Sequence, residues 1–277
     1  MSKKVVTPKV VIPMDINTIL NYKHRLKCKN QVQKEFAKLI VDNEIIIASG
    51  PAGVGKSYVA IAKAIELVQT KANKFEKIMI ITPAVEAGEN LGFLPGDMKE
   101  KLAPHVASSI DIIDKIVKKP NRKKLSEAGI LKIDALAFIR GKSIDNTILV
   151  MEEAQNMSPD QMKTLLTRIG YNSKFIISGD LDQSDRFKHI SKSGLYDAID
   201  RHKNVNAIGF VEFQEIDIVR NPLIKEILAN YRDTAFNKPK QERPRTTTTL
   251  NDLKPKKKKG NWSWGRIKAF IKVKFSW

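Results

Sequence analysis

The sequence predicts an α/β protein with a mostly parallel sheet, followed by a flexible basic C-terminal tail. Three observations lead there. Short β-type runs alternate with longer helical patterns through the middle of the chain. A glycine-rich segment, GPAGVGKS, lies between the first such run and the first long helical pattern. The formal net charge of +19 sits almost wholly in the two ends.

Strands are expected at Glu44–Ser49, Lys77–Thr82, Thr147–Glu152, Lys174–Ser178 and Val205–Phe213. Between them, Ser57–Thr70 is rich in Ala, Ile and Leu, and Ser158–Ile169 begins with Ser-Pro, a helix-start signal. Gly194–Arg201 and Asn221–Tyr231 are further helices. Four glycines or prolines after Glu89 predict a structured loop over Glu86–Pro104. The basic, polar stretch Lys115–Lys132 reads as an excursion from the core. From Asn237 the chain loses its apolar residues and reads as a disordered linker.

With 277 residues, 42% hydrophobic and 29% charged, the chain has apolar material for a real core. No apolar stretch approaches the roughly 20 residues a spanning helix needs. The start of the chain has no continuous apolar region of a secretory signal. The single cysteine, Cys28, excludes an intrachain disulfide framework and lends no support to a cysteine-rich metal site. A cytoplasmic protein is expected. Residues 1–30 carry seven Lys/Arg against one acid, and residues 238–277 carry thirteen against two. Such ends usually meet polyanions, either nucleic acid or an anionic membrane surface; solubility alone is the plainer alternative.

GPAGVGKS, Gly50 to Ser57, matches G-x-x-x-x-G-K-[ST] in full and stands after EIIIAS and before a helix. That is the phosphate-binding P-loop. The loop Gly50, Pro51, Ala52, Gly53, Val54 and Gly55 wraps a phosphate, all but Pro51 with a backbone N–H to turn toward it, and the following helix, with Tyr58 in its first turn, offers its positive end. Lys56 is the residue expected to bridge β- and γ-phosphate oxygens, and Ser57 to ligate Mg²⁺. Such a site needs a second acidic group on a neighbouring strand. TILVMEEAQN supplies it: Glu152 for the metal side and Glu153 as candidate general base. In FIISGDLDQSD, Gln183 stands beyond a strand end, where the γ-phosphate and attacking water belong; Asp180 has a plain alternative as a turn or capping residue. Arg220 opens a helix near the end of the core and is a candidate for neutralising transition-state charge.

Together GPAGVGKS, PAVEAGENLGFLPGDMKEKLAP, LAFIRGKSIDNTILVMEEAQNMSPDQMKTLLTRIG, SGDLDQSD and DIVRNPL resemble the PhoH family over about residues 28–232. The resemblance implies a RecA-like P-loop NTPase core of the superfamily-one helicase type, with ATP and Mg²⁺ as cofactors. It implies ATP hydrolysis, RNA or single-stranded DNA as partner, and an association with phosphate starvation. It matches Lys56 and Ser57 to the P-loop pair, Glu153 to the catalytic acid, Gln183 to the γ-phosphate-sensing glutamine and Arg220 to the arginine of the last motif. Gln31 is matched to a glutamine that reads adenine, though by itself it is any helix-surface residue. Two departures stand out: Glu152 where the family usually has Asp, and Thr82 where it commonly has Arg. Since related helicases close the cleft between two cores, a homo-oligomeric ring, possibly a hexamer, is expected. The expected division is a basic arm over 1–27, the ATPase domain over 28–236, and linker and tail over 237–277.

The tail sets Trp262, Trp264, Phe270, Phe275 and Trp277 among nine Lys/Arg from Lys254 onward. Three readings stand side by side: stacking and phosphate contacts to single-stranded nucleic acid, contact with a membrane surface or partner helix, and docking of the aromatics on the core. For the whole chain, an ATP-dependent nucleic-acid remodelling enzyme is the leading reading. The alternative is a slow ATP-dependent switch or scaffold. A metabolic kinase is disfavoured because no acceptor pocket is apparent.

Overall fold

The computed structural model describes residues 15–72, 74–83, 98–139, 141–184, 186–187, 189–219 and 223. Within them the chain runs α1 (Ile16–Ile19), α2 (Gln31–Asp42), β1 (Ile45–Ser49), α3 (Lys56–Thr70), β2 (Lys77–Thr82), α4 (Met98–Val117), α5 (Lys119–Glu127), β3 (Leu131–Ala135), β4 (Thr147–Met151), α6 (Pro159–Leu166), β5 (Lys174–Gly179), α7 (Gly194–His202) and β6 (Ile208–Glu212). The six strands form one sheet in the order β3-β2-β4-β5-β1-β6, every pair parallel. The expected α/β class with a parallel sheet is what the structure has.

Both faces are covered, so β1, β4 and β5 are buried at every position. Period-two alternation then sorts their side chains. Ile46, Ala48, Ile148, Val150 and Ile176 pack with α1 to α5, whereas Ile45, Ile47, Leu149, Met151, Phe175 and Ile177 pack with α6 and α7. The edge strand β3 has only its two ends buried.

Two expectations need correction. Lys115–Lys132 is no excursion: it holds the end of α4, all of α5 and the start of β3, and buries Ile116, Val117, Leu125, Ile130 and Leu131. Its lysines occupy the outer face while the sparse apolar residues anchor the core. Of the basic arm expected over 1–27, residues 1–14 lie outside the described residues, and residues 15–27 pack on the core. Ile16, Ile19 and Leu20 are buried, and the Gln69 side chain accepts the N–H of His24 and donates to the carbonyl of Tyr22. Of the loop expected over Glu86–Pro104, residues 84–97 lie outside the described residues, and from Met98 the chain is helical through Pro104. The helix expected at Asn221–Tyr231 lies outside them except for Leu223, and the linker and tail lie outside entirely. Among the described residues, no helix is long and apolar enough to cross a membrane.

Lys174 opens β5 beneath the C-terminal end of α2, where its ammonium donates to the carbonyls of Val41 and Asn43. Burial, reinforced by Lys74 and Lys71, pulls its pKa down to about 8. The unfolded chain therefore holds that proton up to higher pH than the folded one. Stability is expected to rise between about pH 8 and the ordinary lysine range. Denaturant melts across that window should show the rise in the wild type and a flatter profile in Lys174→Met.

Candidate functional site

The phosphate loop turns at the C-terminal end of β1. Gly50 has φ 136°, Gly53 89° and Gly55 91°, all in the region that side chains disfavour. At Gly50 the space is closed as well: a Cβ would lie 2.4 Å from the Phe213 carbonyl oxygen. The loop is braced at three points. Gly50 N–H donates to Gly179 O (3.2 Å), Val219 N–H to Gly53 O (3.1 Å) and Gln33 Nε2 to Val54 O (2.8 Å). Lys56 opens α3, and its ammonium folds back onto the carbonyls of Gly50 (2.5 Å) and Pro51 (2.9 Å). It thus lies over the loop's concavity, poised to exchange carbonyls for phosphate oxygens.

Glu152 and Glu153 leave β4 in opposite ways. Glu152 is 4% exposed. Its carboxylate accepts a hydrogen bond from the hydroxyl of Ser109, on α4, and lies near the hydroxyl of Ser57, on α3. Burial raises its pKa, and the two hydroxyls pull the other way. Its Oε1 is buried without a hydrogen-bond partner among the described residues. A buried carboxylate oxygen left open beside the Ser57 hydroxyl is the donor chemistry a hard divalent cation takes, so these residues fit Mg²⁺.

Glu153 has φ 54° and ψ 33°, a left-handed conformation that points it away from its neighbour and into the cleft, where it is exposed. Gln155 fixes it there. That buried side chain donates from Nε2 to Glu153 Oε2 (2.7 Å) and to Gln183 O (3.3 Å), while its Oε1 accepts the Asp180 N–H (3.0 Å). The glutamine ties the end of β4 to the end of β5, and a Cβ at Gly179 would collide with it at 2.6 Å. Asp180 lines the cleft and also serves in a turn, where its Oδ1 accepts the Asp182 N–H.

These groups surround one cleft of about 790 Å³. The structure brings Ala52, Gly53, Gly55, Lys56, Ser57, Tyr58, Glu153 and Gln183 to its walls, with Gly50, Pro51, Val54 and Glu152 immediately behind. It does not bring Gln31, which is exposed at the first position of α2. Gln33 lines the cleft instead; its Oε1 accepts the Lys29 N–H (2.8 Å) while Asn30 caps the helix through Gln33 N–H. Asn-x-x-Gln is a capping-box spacing, and that signal points to Gln33. Arg220 lies outside the described residues; its neighbour Val219 lines the cleft. Thr82, in the place commonly held by an arginine, is buried and its hydroxyl has no hydrogen-bond partner among the described residues. Sequence patterns also give no sign that Lys27, Cys28 and Lys29, or Ser108, Ile112 and Lys115 of α4, line the cleft.

The family model described as PhoH-like protein matches residues 25–232. A PhoH-like protein of Bacillus subtilis (strain 168) is 40% identical over 206 residues, covering 74% of this chain and 64% of the relative. One from Mycobacterium leprae (strain TN) is 36% identical, covering 82% and 64%. Protein PhoH of Escherichia coli (strain K12) is 35% identical, covering 73% and 57%. The chain therefore spans about three fifths of the length of these curated relatives. Among solved structures, the UvsW helicase from bacteriophage T4 is similar at 14% identity and a TM-score of 0.41, over 72% of this chain and 66% of that one.

Proposed function

Because the chain belongs to the PhoH-like family, we propose that it is an ATPase that binds Mg²⁺-ATP in this cleft and couples hydrolysis to binding or remodelling of RNA or single-stranded DNA. The observation that carries the reading is the convergence at three adjacent strand ends: the braced phosphate loop after β1, the acidic pair after β4, and Asp180 to Gln183 after β5.

The chemistry follows from the placement. The loop's inward amides and the start of α3 hold the phosphates. Lys56 exchanges its two carbonyl partners for β- and γ-phosphate oxygens. Ser57 and Glu152 would hold Mg²⁺, which when bound neutralises charge on those oxygens. Glu153, held by Gln155, orients the attacking water and takes its proton. Gln183 contacts the γ-phosphate side, and Arg220 supplies a cation to the transition state.

Turnover stimulated by single-stranded oligonucleotides tests the proposal. Phosphate release should rise with RNA or DNA and disappear in Lys56→Ala. Rates indifferent to every oligonucleotide would contradict the nucleic-acid half.

Glu153 and Gln183 are exposed, with no cover over them among the described residues. A second wall from a neighbouring subunit would close the cleft, and a homo-oligomeric ring, a hexamer in the simplest case, is the arrangement we propose. Light scattering with Mg²⁺-ATP should give a multiple of 31.3 kDa; a monomer with and without nucleotide would refute it. One observation favours a slower, switch-like variant of this chemistry. Glu152 is buried, and one of its oxygens is tied to Ser109 of α4.

A further inference from the structure

The segment between α1 and α2 crosses the face of α3 in a regular way. His24, Leu26 and Cys28 are half-buried, whereas Lys23, Arg25, Lys27 and Lys29 are exposed. The alternation is fixed by bonds on the inner side. Gln69 Oε1 accepts the His24 N–H (2.9 Å), Glu66 Oε2 the Leu26 N–H (3.1 Å) and Gln33 Oε1 the Lys29 N–H (2.8 Å). Four cations therefore leave one side of an anchored strap at every second residue, about 6–7 Å apart if extended. Their backbone entropy is already spent by folding, unlike that of cations on a free arm.

The strap does not stand alone. Tyr22, at its start, donates its hydroxyl to the Ile116 carbonyl (2.8 Å), which seats it against the end of α4, and α1 just before it packs against α5. There Lys115, Lys118, Lys119, Lys123 and Lys124 are exposed. Arg122 is engaged with Asp114, but none of the other nine cations takes part in an ion pair among the described residues. Residues 15–30 and 114–127 hold ten Lys/Arg against three acids. Lys27 and Lys29 of the strap and Lys115 of α4 all line the nucleotide cleft.

We infer that the strap Lys23–Lys29, flanked by α5, is a track for the phosphate backbone of a single-stranded nucleic acid, leading to the mouth of the nucleotide cleft. The inference rests on the nucleic-acid partner proposed above and names the surface that meets it. Regularly spaced point charges on a fixed backbone match a flexible polyanion that presents its phosphates in series. The Tyr22 ring, 38% exposed beside the first lysine, offers a stacking face for a base. Such a track reads charge and not sequence.

The test uses the full chain and 5′-labelled U20 RNA and dT20 DNA in fluorescence anisotropy from 50 to 300 mM KCl. In the track variant Lys23→Glu, Arg25→Glu, Lys119→Glu and Lys123→Glu are combined; all four positions are exposed, and none lines the cleft. The control makes the same charge change at exposed Lys142, Lys163, Lys192 and Lys203, on the α6/α7 side. The track variant should bind at least about tenfold more weakly and lose about 2–3 from its salt slope, as expected for roughly four lost phosphate contacts. The control should stay within about twofold, and fluorescent ADP should bind both variants as it binds the wild type. The corresponding Lys/Arg→Gln variant should fall between, which separates lost contacts from new repulsion. Equal weakening in track and control, or no weakening in either, would overturn the track while leaving the nucleic-acid partner standing. A wild type that binds neither oligonucleotide would overturn both. Comparing the RNA and DNA arms shows which strand the track serves.

Discussion

Replacing Glu153 with glutamine is expected to lower ATP turnover by about 10²–10⁴-fold while leaving nucleotide affinity within a few-fold of wild type. The substitution keeps the shape and removes only the negative charge and basicity. Gln155 Nε2 still finds an oxygen to donate to, so the left-handed turn at position 153 and the bridge to Gln183 survive. Lys56, Ser57 and Glu152, which form the binding half, are untouched. The variant should therefore accumulate unhydrolysed ATP, visible as radiolabelled nucleotide retained on the protein after rapid filtration. A parallel loss of affinity would mean that Glu153 is part of the cradle. Undiminished turnover would remove it from the chemistry.

The second large effect is expected at Gly50. An alanine there needs φ near 136°, which is almost closed to any side chain, and pushes a methyl to 2.4 Å from Phe213 O and 2.7 Å from Phe213 Cβ. The backbone and overpacking penalties together come to about 3–5 kcal/mol. For a chain of this size that is a fall of roughly 10 °C in Tm. Gly129 is the control: its φ is also positive, at 73°, but a Cβ would meet nothing within 4 Å. Gly129→Ala should cost only about 1 kcal/mol. The melts also report on the cradle, because Mg²⁺-ADP should stabilise the wild type and Gly129→Ala but not Gly50→Ala. A Gly50→Ala protein that melts with wild type would contradict the close approach of Phe213, just after β6, to the loop.

Much of the fold and of the candidate site is legible in the amino-acid sequence, and the reasons differ by element. Strands β1, β2, β4 and β5 announce themselves because burial on both faces demands unbroken apolar runs. Their ends carry the site residues, so finding the strands locates Lys56, Glu152, Glu153, Asp180 and Gln183. Strand β3 escapes such a reading because an edge strand alternates: in Leu131–Ala135 the exposed Lys132 pairs with Asp134, and the charge disguises the run. Helix α5 is hidden for a related reason, since Leu125 is its one buried residue. The choice between Gln31 and Gln33 turns on which position Asn30 caps, and composition does not reveal that. Gln155 is visible inside EEAQN, but its role depends on β5 lying beside β4. Strand order follows from packing over the whole chain, not from any local pattern.

Whether this cleft hydrolyses ATP through Glu153 is decided by phosphate release from the full chain in Mg²⁺-ATP. The wild-type rate should stand well above that of Glu153→Gln and rise further with single-stranded RNA or DNA. A wild-type rate equal to that of Glu153→Gln, with or without nucleic acid, would contradict hydrolysis through Glu153.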